Sequence, residues 1–367
     1  MLAARLYEGR VVVQTVPIPE PRVGEARLRI LQGGICSTDI EMTRGYKGGG
    51  GGHTLGHEFV ARVDKLNVDL ISQRRFCHVS EGQRVVAEIN CVSDSCGCRN
   101  WQERAQHPER VALGIFGADG AFAEYLVVPI INLHPVPASI SDDQAMFVEP
   151  LAAACQITQQ VQFLSGDRVA VVGTGKLGIL IVQAILATSA CRITAFGRRE
   201  TNFHLFMDRG VETRLVDSID AAEKYDVVVD CTGNETGFET ALNLVKPHGK
   251  LVLKSTFAGK TPANLTKVVV DEISIIGSRC GPFSMALKLL EDRRVSVEEL
   301  ITHRYPLPQV LTTALCCSFT CMNAYKYLRG LKHTQIGEAL EMAMSHESLK
   351  VALMIYNTKV GTSVNAD

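Results

Sequence analysis

The sequence predicts an α/β chain: a mostly-β half joined to a doubly wound parallel sheet. Three observations point to it. The apolar strand Arg168 to Val172 runs into Gly173-Thr174-Gly175-Lys176-Leu177-Gly178, and then into a helical stretch, Ile179 to Ala187. Strand and helix patterns then alternate: Arg192 to Phe196, Phe203 to Arg209, Val227 to Asp230, Gly237 to Val245, Lys250 to Lys254 and Glu272 to Ile276. Before this region, short strand-like runs broken by proline and glycine dominate. Alternation of this kind gives parallel strands with crossover helices, whereas runs bounded by turn residues give β structure.

The glycine motif takes its meaning from its place between a strand and a helix. There the glycines let the backbone approach a pyrophosphate at the helix N-terminus, as in a Rossmann dinucleotide site. Gly173, Gly175, Lys176, Leu177 and Gly178 are therefore cofactor-binding candidates. The end of the second strand selects the cofactor. An acidic residue there would bind the ribose 2′-hydroxyl of NAD, but this chain has Gly197-Arg198-Arg199. Glycine makes room, and guanidinium groups pair with a 2′-phosphate, so NADP is expected ahead of NAD. Thr232 and Gly233, after the strand Val227 to Asp230, are expected to flank a cofactor ribose.

In the first half, Ala26 to Leu31 alternates and enters a glycine-flanked turn at Cys36, followed by Thr38 and Asp39. Five glycines, Gly48 to Gly52, precede Gly56-His57-Glu58. A thiol, an imidazole and a carboxylate spaced by a flexible loop can close on one ion, and sulfur with nitrogen favours zinc. Taken singly, Cys36 would read as a small buried apolar residue and His57 as a core histidine; together they point to metal. Glu149, in Phe147-Val148-Glu149-Pro150-Leu151, is the candidate distal ligand, reached by a helix that opens at Ser141 with Asp142 and Asp143 in its first turn. Cys91, Cys96 and Cys98, with His107 following, form a loop in which a structural zinc competes with a loop that binds nothing, because the spacing is irregular.

Composition sets limits. Of 367 residues, 46% are hydrophobic and 21% charged, enough for two packed domains. Lys+Arg number 38 against 39 Asp+Glu, a net charge of -1, which gives no general attraction to nucleic acid or anionic lipid. The first residues carry no long apolar run, and the twelve cysteines read as reduced thiols and ligands, so the cytoplasm is the expected compartment.

On these motifs (ICSTD at Cys36, GHE at His57, DGAFAEY at Phe122, VEPLA at Glu149 and VGTGKLG at Gly175) the chain resembles the zinc-dependent medium-chain alcohol dehydrogenase family, near its threonine and polyol dehydrogenases. The resemblance implies a GroES-like catalytic domain over 1–140 and 284–367, and a Rossmann domain over 141–283. It implies zinc on Cys36, His57 and Glu149, with Glu58 coordinating in some members, Thr38 relaying the substrate proton and Asp39 orienting His57. It places Lys350 near the cofactor phosphates and implies a homodimer or homotetramer acting on a small alcohol or carbonyl. Glu41 stands where many members carry a relay histidine. Val310 to Gln335, with Cys316, Cys317 and Cys321, has no counterpart in the family and is expected to pack poorly. Two other readings stay open: a zinc-free quinone or enone reductase of the same superfamily, and a non-catalytic NADPH-binding derivative.

Overall fold

A computed structural model describes residues 1–46, 52–69, 78–93, 96–256, 261–307, 335–345 and 348–355. Apart from the backbone of Gln335, the segment 310–335 lies outside the described residues, as do four of the five consecutive glycines, 48–51. The chain forms two compact units, Met1–Phe147 with Val297–Asp367, and Val148–Ser296.

The first unit is mostly β. Its largest sheet runs in the order Leu133–Pro135, Arg84–Ala87, Glu58–Asn67, Glu25–Gly34, Lys350–Met354, Ile301–Pro306, and Tyr125–Pro129 also pairs with Glu25–Gly34. Strand Glu25–Gly34 shows why it forms: Ala26, Leu28 and Ile30 are buried, while Arg27 and Arg29 between them are half-buried. That period of two is the mark of an antiparallel strand with one face on the core. The strand extends beyond the expected Leu31 to Gly34, where the missing side chains make room. A methyl group on Gly34 would lie 2.8 Å from Glu58 Oε2.

The second unit is a six-stranded sheet in the order Glu212–Leu215, Arg192–Gly197, Arg168–Val172, Tyr225–Asp230, Val245–Leu253, Ser274–Gly277, and all neighbouring strands in it run parallel. This is the doubly wound order with the first strand central. Val169 to Val172 are all buried, as expected of a strand covered on both faces.

The division between units falls at Phe147/Val148 and Ser296/Val297, later than the expected 140/141 and 283/284. Side chains explain both shifts. Helix Asp142–Met146 is tied to the first unit by Gln32 Nε2 to Asp143 Oδ1 (2.9 Å) and by ion pairs Arg84–Asp142 and Arg304–Asp143. Helix Phe283–Glu291 packs on helix Val148–Gln160 in the second unit, and Gln183 exchanges two hydrogen bonds with the Ser296 backbone.

The helix opened by Ser141 ends before Glu149. Ser141 caps it, in a reciprocal pair with Gln144, and it stops at Met146. Glu149 belongs instead to the first turn of the next helix, Val148–Gln160. Two helices separated by Phe147 alone read from sequence as one. Among the described residues, no helix is long and apolar enough to cross a membrane.

Candidate functional site

Cys36 closes the end of strand Glu25–Gly34 and begins helix Ser37–Thr43. Asp39, fully buried in that helix, reaches back to accept the Cys36 N–H at 2.8 Å. The same carboxylate accepts the Gly56 N–H at 3.2 Å and lies 3.4 Å from His57 Nδ1, too poorly angled for a hydrogen bond. One acid thus fixes the Cys36 turn and the GHE turn together. Gly56 makes the second turn feasible: its φ is +96°, and a Cβ there would sit 2.3 Å from the Phe122 ring.

Ligand atoms of Cys36, His57 and Glu58 lie within 4.8 Å of one another, the only such group of three found among the described residues. The set suits a zinc ion on its own electrostatics. Burial alone disfavours a charged ring at His57, yet the Asp39 carboxylate and the Cys36 sulfur outweigh it and hold the imidazole well above its ordinary value. A cavity that draws a proton onto a buried histidine favours positive charge. The Cys36 thiol donates to Thr38 Oγ1 at 3.7 Å, placing that half-buried hydroxyl beside the cradle.

Lys350 has partners at the cradle itself. The resemblance places it near cofactor phosphates. In the structure its ammonium is buried within the first unit, where it pairs with Glu58, donates to the Ile35 carbonyl at 3.4 Å and lies 5.5 Å from the centre of the Phe147 ring. Its strand, Lys350–Met354, pairs with Glu25–Gly34, which brings it to the cradle. Glu41 is on the surface side of helix Ser37–Thr43, paired with Arg44 at 2.8 Å.

In the second unit, Gly175 caps helix Lys176–Thr188, and a Cβ there would meet nothing within 4 Å. Gly173 and Gly178 are crowded instead. Gly173 has φ +122°, and a Cβ on Gly178 would lie 2.0 Å from the Gly173 carbonyl. Two glycines therefore close the turn while Gly175 leaves the backbone accessible, the division of labour a pyrophosphate site needs. Gly197 ends strand Arg192–Gly197, packed so that a Cβ would strike Thr174, and Arg198 and Arg199 follow it exposed. Thr232 gives both its N–H and its hydroxyl to Asp230 Oδ1, at 2.9 and 2.8 Å. Glu149, half-buried, is the one proposed ligand that belongs to this unit.

Among its described residues, the lobe Cys91 to His107 brings no three ligand types together. Cys91 is buried, its thiol pushed up to about 12 by burial and directed at the Glu88 and Ile89 carbonyls. The His107 Nδ1 accepts the Glu109 N–H at 3.2 Å. The sequence reading missed two buried polar groups. Glu88 accepts from Arg104 at 2.5 Å and lies 2.9 Å from His134. Lys254 is buried at the end of strand Val245–Leu253, against the Ser278 hydroxyl and the Arg279 carbonyl. An acid or base inside an otherwise apolar strand pattern was the signal available for both.

Two family models match the chain: an alcohol dehydrogenase GroES-like domain over residues 22–138 and a zinc-binding dehydrogenase over 177–292. The chain belongs to the zinc-dependent medium-chain alcohol dehydrogenase family. Within it, the chain is 26% identical to a sorbitol dehydrogenase of Halalkalibacterium halodurans, over 82% of this chain and 90% of that one. It is 27% identical to an erythritol/L-threitol dehydrogenase of Mycolicibacterium smegmatis, over 81% and 88%. The fold is shared with alcohol dehydrogenase TADH from Thermus sp. ATN1, with a TM-score of 0.78 at 22% identity, covering 97% of this chain and 100% of that one. As a medium-chain alcohol dehydrogenase, the chain is an oxidoreductase that interconverts alcohols and carbonyls with a nicotinamide cofactor.

Proposed function

We propose that the protein is a zinc-dependent dehydrogenase of small polyols or secondary alcohols that prefers NADP. The grouping of Cys36, His57 and Glu58 carries the reading. Cys36 and His57 would hold zinc, with Glu149 as the further carboxylate and Glu58 shared between the ion and Lys350. A zinc ion so held supplies a Lewis acid for the alcohol oxygen, and the nicotinamide cofactor supplies the hydride acceptor. The remaining work falls to the chain. Thr38 Oγ1 takes the hydroxyl proton of the substrate. Asp39 holds His57 and the Cys36 turn in register. The Gly175 turn seats the pyrophosphate, and Arg198 and Arg199 meet a 2′-phosphate. Polyols are favoured because the sorbitol and erythritol/L-threitol dehydrogenases that the chain resembles act on them by name. A cytoplasmic homodimer or homotetramer is the setting this family suggests.

The test is a panel of polyols and secondary alcohols run with NADP and NAD in parallel, with zinc measured in the same preparation. The expected result is one zinc-dependent activity with NADP preferred. Cys36→Ser should lower kcat/KM by about 10³, the several kcal/mol a Lewis acid supplies. Turnover that survives Cys36→Ser, or an active preparation free of zinc, overturns the reading, and a preference for NAD overturns the role given to Arg198 and Arg199. Glu149→Gln should lose zinc; full retention removes it from the ligand set.

A further inference from the structure

The lobe between Cys91 and His107 holds two thiols that no part of the dehydrogenase chemistry uses. Cys96 and Cys98 are both free and half-buried, on either side of Gly97 in a left-handed turn with φ +72°. That turn directs the Cys98 N–H at the Cys96 sulfur, 3.3 Å away. The Cys98 thiol also hydrogen-bonds to the Cys96 sulfur, and this contact first of all pushes the Cys98 thiol up from its ordinary value. The Cys96 sulfur is thus the acceptor of the pair, held by the Cys98 backbone with the second thiol one residue away, the arrangement an attacking and a resolving cysteine need. The groups that could have turned the pair into a metal site face elsewhere: Cys91 toward the Glu88 and Ile89 carbonyls, and His107 toward the Glu109 N–H.

We propose that Cys96-Gly97-Cys98 is a thiol–disulfide exchange site for small disulfides such as glutathione disulfide, closing to an intrachain Cys96–Cys98 bond. The Cys96 thiolate attacks one sulfur of glutathione disulfide, forming a mixed disulfide and releasing one glutathione thiolate. Cys98 loses its proton to solvent and attacks the Cys96 sulfur. The Cys96–Cys98 bond forms as the second glutathione thiolate leaves. Two protein thiols are oxidised and one disulfide is reduced to two thiols, so electrons balance with no other reactant. A ring closed across a single residue is strained, which places the bond among labile, reversible disulfides rather than structural ones.

The experiment exposes the purified full chain to glutathione disulfide, quenches with acid, alkylates and maps peptides by mass. The peptide holding Cys96 and Cys98 is expected to lose two hydrogens, escape alkylation and recover both thiols with dithiothreitol. Cys98→Ser should stall with glutathione on Cys96. Alkylation of both thiols after treatment overturns the proposal, as does a glutathione adduct that persists in the native chain. A zinc ion held by the native chain and lost in Cys96→Ser also overturns it, because the lobe is then a metal site. The native peptide map decides the matter even if a variant fails to fold.

Discussion

Among the described residues, the first unit buries Lys350 and the second buries Lys254, and the two are held in opposite ways. Lys350 faces a carboxylate, Glu58, inside the cradle. Lys254 gives its hydrogen bonds to two uncharged oxygens, and burial lowers it to about 8 even though Cys280 and the Glu149 carboxylate pull the other way. A carboxylate in contact favours the charged form of a buried ammonium, whereas burial with only neutral oxygens in hydrogen-bond contact disfavours it. The first arrangement suits a site built to manage fixed charge. The second holds a group whose proton burial has loosened, to about 8.

The comparison can be broken most sharply at Lys350. Lys350→Met leaves Glu58 buried without its cation and should cost about 3–5 kcal/mol, read as a fall in the thermal midpoint. Zinc added in excess should recover part of that loss, since an ion can replace the missing charge. No difference between zinc-free and zinc-loaded midpoints would place the metal away from Glu58.

Lys254 gives the next effect. Between its folded value of about 8 and its ordinary 10.5, the unfolded chain keeps a proton that the folded chain has lost. Stability should therefore rise with pH across that window, by about 3 kcal/mol in the limit of one group. Lys254→Met should flatten the rise in urea titrations at stepped pH. Asp39→Asn comes third. It keeps the shape but weakens the hold on His57, and should lower zinc affinity by about 10–100-fold in a chelator competition. The smallest effect is expected from Arg198→Ala with Arg199→Ala. The NADP-over-NAD ratio of kcat/KM should fall by about tenfold, the loss of a charge-assisted hydrogen bond from an exposed site.

Local signals made part of this legible in the sequence. Gly173 to Gly178 could be interpreted because the strand before them and the helix after them show in the hydropathy pattern. Cys36 and the GHE run were legible because a thiol, an imidazole and a carboxylate fall within one short stretch, a combination that suits a single ion. What escaped depended on chain reversals that no short window records. Glu58 and Lys350 are 292 positions apart and meet only because strand Lys350–Met354 lies against Glu25–Gly34. The Glu88, Arg104 and His134 contacts likewise need the sheet order before they can be drawn. Glu149 was assigned to the wrong helix because Ser141 and Val148 open separate helices with one residue between them.

The position of Lys350–Met354 has a consequence for synthesis. Cys36, His57 and Glu58 leave the ribosome early, but the strand that flanks them, with the cation for Glu58, is translated after every strand of the second unit. The second unit can therefore be complete while the first still has an open seam beside its chemically sensitive thiol. A nascent chain spends that interval with its cradle unsealed, until strand Lys350–Met354 pairs with Glu25–Gly34.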